Sequence, residues 1–371
     1  MNQQPYPTWI EINLSAVEHN TRAVSALCGV PVMAVVKANA YGHGAVEVSR
    51  AALSAGAVWL AVSRVGEALE LRKAGIQAPI LVTGGAVPEE VGTAVDLKIS
   101  LPLYDAELAK NYAERARETG RPLRVHLKVE TGLGRFGVFP EEVLSLARLA
   151  RSMGGLEIEG IYTQLAMADV RDHPLTLIQL RRFRDALDSL QSEGIVPQFI
   201  HAANSAAAFH YPESRFNLVR VGQAVVGLGT GREDLPFPAA LRRAFNWKAS
   251  LVSSKTFPGG WGISYGVAHT THAGERIGVI PVGHGDGFRR AAGNQVIIAG
   301  RKVDVIGKVC IDQCMVQLPD RVPLGTEAVV MGSQGDLHIF PEELSQRWNI
   351  PLTGVTNVDR RVPRVYIRDE D

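Results

Sequence analysis

The chain has 371 residues, enough for two or three domains at roughly 100 to 200 residues each and for a substantial buried core. Lysine plus arginine number 39 and aspartate plus glutamate 38, so a formal charge of +1 leaves no basic stripe for a polyanion and excludes nucleic acid as an expected partner. With 46% hydrophobic and 21% charged residues, the composition is that of a globular protein and excludes disorder, collagen and coiled coil.

In chain order, the opening MNQQPYPTWIEI has neither a cationic n-region nor an apolar h-region, and no uninterrupted run of about 18 apolar residues follows. A soluble cytoplasmic protein with no membrane span is expected. Short Val/Ile/Leu-rich runs then begin near Val32, Val58, Pro79, Asp96, Arg124, Glu157, Phe199 and Asn217. Helical periods lie between them, as in DAELAKNYAERARETG, which starts at Asp105 and stops at Gly120, and EEVLSLARLARSMGG after Pro140. Eight nearly all-apolar strands, each followed by a helix, predict an α/β fold with an N-terminal (β/α)8 barrel, a doubly wound sheet being the alternative. After about Pro236 the texture changes to the strand-like runs KASLVSSKTF, ERIGVIPVG, NQVIIAGRKVDVIGKV and EAVVMG, separated by Gly and Pro turns. The expected division is therefore a barrel over 1–235 and a mainly β domain over 236–371.

The three cysteines, Cys28, Cys310 and Cys314, cannot make a disulfide framework, and CIDQC lacks the second Cys or His pair of a zinc site. Reduced thiols and no metal are expected. In a (β/α)8 barrel the chemistry sits where strands end, which selects Lys37, Ser63, Arg64, Thr83, Lys128 to Arg135, Gln164, His201 to Ser205 and Arg220 to Gly222. A lysine ending a buried strand is costly unless it is paired, reaches water or is modified. Lys37 in PVMAVVKANAYGHG is thus a candidate Schiff-base lysine, the other reading being a side chain that simply reaches into solvent. GLGRFG, from Gly132 to Gly137, is a literal G-x-G-x-x-G followed by a helix, with Glu157 about 20 residues on, and offers a dinucleotide-binding dehydrogenase as the competing reading. It stands at the fifth strand of eight, and a Rossmann domain would give Lys37 no role.

VVKANAYGHGA resembles the cofactor-attachment motif of the alanine racemase family, and the resemblance extends through KVETGLGRFGV, HAANSAA, RVG, SYG, VCIDQCM and RRVPRVY. It implies a barrel plus β domain, pyridoxal 5'-phosphate on Lys37, and a homodimer whose active sites each borrow the tyrosine domain of the partner. A small amino acid is the implied substrate, with Lys37 and Tyr265 the implied catalytic bases on opposite faces of Cα. Tyr41, Asn204, Ser205, Gly222 and Gln223 would hold the phosphate, with His201 and Asn204 supporting this shell. Arg220 would face the pyridine nitrogen, where a guanidinium stays protonated and leaves the ring a weaker electron sink. Arg135 would clamp the substrate carboxylate and Ile311 would lie in the second substrate-binding turn, with Asp312 beside it. Lys128 is often carbamylated in this family, which would turn a cation repelling Arg135 into an anion that orients it.

Four positions depart from the family pattern. TQLA places Gln164 where a histidine is common; HGDGF places His284 at an expected gate tyrosine; Ile311 replaces methionine; and Arg360 replaces a tyrosine at the phosphate and pocket mouth. The implied activity is interconversion of L- and D-alanine, supplying D-alanine for peptidoglycan. A racemase with a shifted or broadened substrate range, for example serine, is the first alternative. A pyridoxal-phosphate carrier or decarboxylase-like barrel protein is the second.

Overall fold

The computed structural model describes residues 6–229 and 240–369. The chain divides into two compact units, one taking Met1–Ser15, Tyr41–His43 and Arg243–Asp371, the other Ala16–Ala40 and Gly44–Arg242.

The second unit is the barrel. Its strands are Val32–Val35, Trp59–Val62, Ile80–Val82, Ile99–Leu103, Leu123–Lys128, Leu156–Tyr162, Phe199–His201 and Val219–Val221. Each pairs in parallel with the next until Phe199–His201, and the first also pairs with the last, a pairing that a doubly wound sheet would not make. The eight apolar runs of the sequence are these strands. Trp59–Val62 and Ile99–Leu103 are buried at every position, which is why they read as unbroken apolar runs without alternation.

One seam has no ladder. Between Phe199–His201 and Val219–Val221, Asn217 N donates to Ile200 O at 3.3 Å, Asn217 Oδ1 accepts from Ile200 N at 2.7 Å, and Arg220 N donates to Ala203 O at 2.9 Å. The helix Ala106–Glu118 begins as read, with Asp105 accepting from Glu107 N and Leu108 N. The helix Val143–Met153 follows a 3-10 turn at Pro140–Glu142. The expectation of a helix after every strand fails at the eighth: among the described residues Val219–Val221 is followed by turns. The helix Leu14–Cys28, which precedes the first barrel strand, meets that segment instead, with Asn20 Nδ2 donating to Val225 O at 3.1 Å.

The first unit is mainly β, with its main sheet built from Ser253–Phe257, Glu275–Ile280, Cys314–Leu318, Arg301–Ile306, Gln295–Ile298, Glu327–Gln334, Phe245–Ser250, Thr8–Asn13 and Arg364–Ile367 in spatial order. The expected boundary at 235/236 lies outside the described residues. Thr8–Asn13, placed with the barrel by that division, pairs antiparallel with Phe245–Ser250 and parallel with Arg364–Ile367, and its Ile10 and Ile12 are fully buried. KASLVSSKTF spans two strands, and NQVIIAGRKVDVIGKV folds as an antiparallel hairpin turning at Ala299 and Gly300, both at positive φ as a tight hairpin turn requires. Among the described residues no helix is long and apolar enough to cross a membrane.

Candidate active site

In the barrel unit, Lys37 stands just past the first strand, at the start of a backbone turn that no glycine makes. Ala38, Asn39, Ala40 and Tyr41 have φ of 51, 56, 52 and 55°. A left-handed run of L-residues costs roughly 1–2 kcal/mol per residue, so it must be tied down. Glu67 Oε1 accepts from Ala38 N at 2.6 Å, while its other oxygen accepts from Ser63 N and Arg64 N at 2.7 and 3.1 Å and caps its own helix. Asn39 accepts from Gly44 N through its carbonyl and from Ala45 N through its side chain, both at 2.9 Å. Lys37 itself is half-buried. Burial and the Arg135 guanidinium disfavour its ammonium form, Glu67 opposing and Arg220 adding to the effect.

The strand register sets the next group. Lys128 lies opposite Tyr162, and Tyr162 opposite His201. The Tyr162 ring stacks on His201 at 5.1 Å and receives Lys128 Nζ at 5.5 Å and the Arg220 guanidinium at 5.3 Å. Lys128 is 1% exposed and donates to Val129 O at 2.8 Å. Burial brings its pKa down to about 7, against Glu130 and with help from Arg220 and Arg135. Arg135 is exposed, its guanidinium 5.3 Å from the Phe136 ring.

Arg220 is buried and heavily engaged. Its Nη1 donates to His201 Nδ1 and His201 O, both at 2.9 Å, and its Nη2 to Thr163 O at 2.8 Å and Gln164 Oε1 at 3.1 Å. Burial lowers its pKa to about 10, which leaves it a cation near neutrality. His201, expected beside the phosphate donors, sends its ring nitrogens to Arg220 and to His126. Asn204 caps the short helix Ser205–His210 by accepting from Ala207 N. Ser205 Oγ accepts from Gly222 N at 3.1 Å and Ala224 N at 3.3 Å, so the hydroxyl hydrogen remains as the donor, with half-buried Gln223 between those two amides.

The other expected residues belong to the β unit. Tyr265 is 68% exposed in the loop between the short strands Gly262–Ile263 and His269–Thr270, a loop pinned by Ser264 Oγ donating to Lys308 O at 2.7 Å. His284 and Ile311 are exposed on adjoining turns, joined where His284 N and Gly285 N donate to Cys310 O and Ile311 O. Arg361 locks both: its Nε pairs with buried Asp286 at 2.7 Å, Nη1 with Asp312 at 2.9 Å and Nη2 with Ile311 O at 3.3 Å. Arg360 is exposed beside it, and Tyr41 is half-buried in the short Tyr41–His43 stretch of the same unit. Among the described residues no group of three or more His, Cys, Asp or Glu could hold a metal ion.

Glu67, His126, Glu159, Asp286 and Arg361 are absent from the sequence-derived set. Only Glu67 carries a local signal, as the acidic residue three positions after the helix cap Arg64.

A barrel whose strand ends gather Lys37, Lys128, Arg135 and Arg220 beside an all-parallel sheet is an enzyme scaffold, and comparison gives its class. A model described as "Alanine racemase, N-terminal domain" matches residues 12–230, and one described as "Alanine racemase, C-terminal domain" matches residues 244–366. The chain belongs to the alanine racemase family and is an isomerase. An alanine racemase of Symbiobacterium thermophilum is 43% identical over 366 residues, covering 97% of both chains. The crystal structure of alanine racemase from Streptomyces lavendulae superposes with a TM-score of 0.93 at 37% identity, covering 98% of each chain. A histidine racemase from Leuconostoc mesenteroides superposes at 0.91 with 28% identity, covering 99% of this chain and all (100%) of that one.

Proposed function

We propose that the protein interconverts L- and D-alanine using pyridoxal 5'-phosphate held in the barrel unit, and that it works as a homodimer with shared active sites. The observation that carries this is Lys37: a half-buried lysine kept toward its neutral form by burial and by Arg135, at the end of a barrel strand. The donor set suits the cofactor. Arg135 and Arg220 would supply positive charge, Lys37 the attachment amine, and Ser205 with the Gly222 and Gln223 backbone, together with Tyr41, Asn204 and Arg360, would hold the phosphate. When bound, pyridoxal phosphate supplies the electron sink that makes an amino acid's Cα–H acidic.

The chain's own residues do the rest. Lys37 Nζ, the covalent attachment point, would move the proton on the D face, because burial and Arg135 disfavour its ammonium form and leave the amine more available as a base. Tyr265 Oη would serve the L face. Arg135 would bind the substrate carboxylate in the bidentate manner of a guanidinium, with Ile311 contributing on the substrate side. Arg220, held protonated, would face the pyridine nitrogen and would have no proton to give it, which would favour return of the proton to Cα. Lys128 would orient Arg135 as a carbamate, and D-alanine for peptidoglycan in the cytoplasm would be the product's destination.

Proton NMR in D₂O with the cofactor-loaded protein and an amino-acid panel tests this. Alanine should lose its Cα–H signal fastest, and Tyr265→Phe should remove most of that rate for L-alanine while D-alanine, served by Lys37, still exchanges. Fast exchange of L-alanine in Tyr265→Phe would refute the two-base assignment, and exchange of no amino acid would refute racemisation. One observation favours a second reading, a broadened substrate range: His284 and Ile311, both departures from the family pattern, are exposed on turns that Arg361 fastens together. Serine or another polar amino acid matching alanine in the same panel would select it.

A further inference from the structure

Behind Arg220 the barrel unit contains two buried histidines and a half-buried carboxylate, in a line, that the reaction above does not use. His201 Nε2 lies 2.9 Å from His126 Nδ1, and His126 Nε2 lies 3.4 Å from Glu159 Oε2. The same Glu159 oxygen accepts from Ser100 Oγ at 2.7 Å, and Arg124 lies 3.7 Å from its other oxygen. His126 and His201 are both fully buried.

The direction of this chain follows from its first member. A guanidinium has hydrogens and no lone pair, so His201 Nδ1 must accept. A neutral imidazole that accepts at one nitrogen donates at the other, so His201 Nε2–H points at His126 Nδ1 and His126 Nε2–H at the Glu159 carboxylate. Each bond is consistent with the next, and the carboxylate closes the line with a charge opposite to that of Arg220. Burial disfavours protonation of both rings.

The sheet is shaped to admit this line. A Cβ at Gly160 would lie 2.4 Å from His126 Nδ1, and the pairing of Leu123–Lys128 with Leu156–Tyr162 shifts register between Val125 and His126. Gly160 therefore clears the space in which the His126 ring reaches His201.

We propose that Glu159 is a positioning residue that acts on Arg220 through His126 and His201, fixing both imidazoles as neutral Nε2–H tautomers and balancing the Arg220 charge from the far side. Its effect on the reaction rests on the proposed function, in which Arg220 faces the cofactor ring. Without the carboxylate, His126 loses its terminal acceptor, the ring can turn over, and His201 no longer has a defined acceptor to present to Arg220.

The test has two arms. In the full-length protein labelled with 15N-histidine, long-range 15N–1H correlation should give Nε2–H tautomers for His126 and His201, assigned by His126→Gln and His201→Gln. An Nδ1–H tautomer or a protonated ring at either position overturns the chain. In the cofactor-loaded protein, Glu159→Ala should shift the visible absorption maximum and lower kcat by about tenfold with KM little changed, while the isosteric Glu159→Gln, which keeps an acceptor oxygen, should fall between it and the parent. An unchanged spectrum and kcat in Glu159→Ala would overturn the positioning role. Failure of the parent chain to take up pyridoxal phosphate would instead sink the proposed function and, with it, the link from Glu159 to the reaction, whereas the NMR arm would still decide the tautomers.

Discussion

Glu67 Oε1 accepts a hydrogen bond from Ala38 N at 2.6 Å, so the residue after Lys37 is held by a carboxylate from the helix Val65–Lys73 that follows the next strand. A left-handed run of L-residues is costly by itself, and this bond opposes its unwinding. Glu67→Ala should destabilise the protein by about 1.5–3 kcal/mol, the loss of its charge-assisted hydrogen bonds from Ala38, Ser63 and Arg64 N–H. Chemical denaturation measures it. Glu67→Gln keeps an acceptor oxygen and should lose about half as much; equal losses in the two variants would locate the effect in the charge alone.

Lys128 makes stability depend on pH. Its folded pKa is about 7, below the unfolded value of about 10.4. Between these limits the unfolded chain binds more protons, so its contribution is fully present above the unfolded value and is lost as pH falls through the folded one. Stability should rise from pH 7 toward pH 10 by up to about 1.4 kcal/mol per unit from this group, and Lys37 acts in the same direction. Urea midpoints across that range, compared with Lys128→Met, check it. The same slope in the variant would contradict the assignment.

A lysine amine that is substantially neutral near pH 7 reacts with carbon dioxide. Incubation with 13C-bicarbonate should therefore give a carbamate carbonyl resonance that Lys128→Met removes. A spectrum without that resonance would mean that Arg135 is oriented without it.

Gly283 has no room for a side chain: a Cβ would lie 2.1 Å from Ile311 O. Gly283→Ala should push the two turns apart and strain the Arg361 link to Asp286 and Asp312. The expected outcome is a KM raised by about tenfold with the barrel's cofactor spectrum unchanged, since that turn carries the proposed substrate contact at Ile311. Steady-state kinetics beside an absorption spectrum separates the two effects.

The barrel was legible because parallel strands covered on both faces admit few polar residues, so their limits appear as interruptions of Val, Ile and Leu. Lys37, Lys128 and Arg220 stood out for the same reason, as charges at the ends of apolar runs. The turn after Lys37 was not legible, because alanine at positive φ carries no compositional mark. Nor were His126 and Glu159: each looks like an ordinary polar residue in its own strand, and their relation exists only through register across neighbouring strands. Thr8–Asn13 carries no local mark of the unit it joins, because its partners stand far along the chain at Phe245–Ser250 and Arg364–Ile367.

That last pairing sets an order of events during synthesis. Residues 16–40 and 44–242, which form the barrel unit, leave the ribosome while Thr8–Asn13 is already out but both strands that flank it are still to be made. The growing chain thus carries an early strand with two unpaired edges and with Ile10 and Ile12 uncovered, the kind of segment that recruits strands from neighbouring chains. Its shelter is completed only by Arg364–Ile367. A chain lacking Arg364–Ile367 would leave that side of Thr8–Asn13 unpaired, with Ile10 and Ile12 beside it, and should aggregate more readily than the chain that has it.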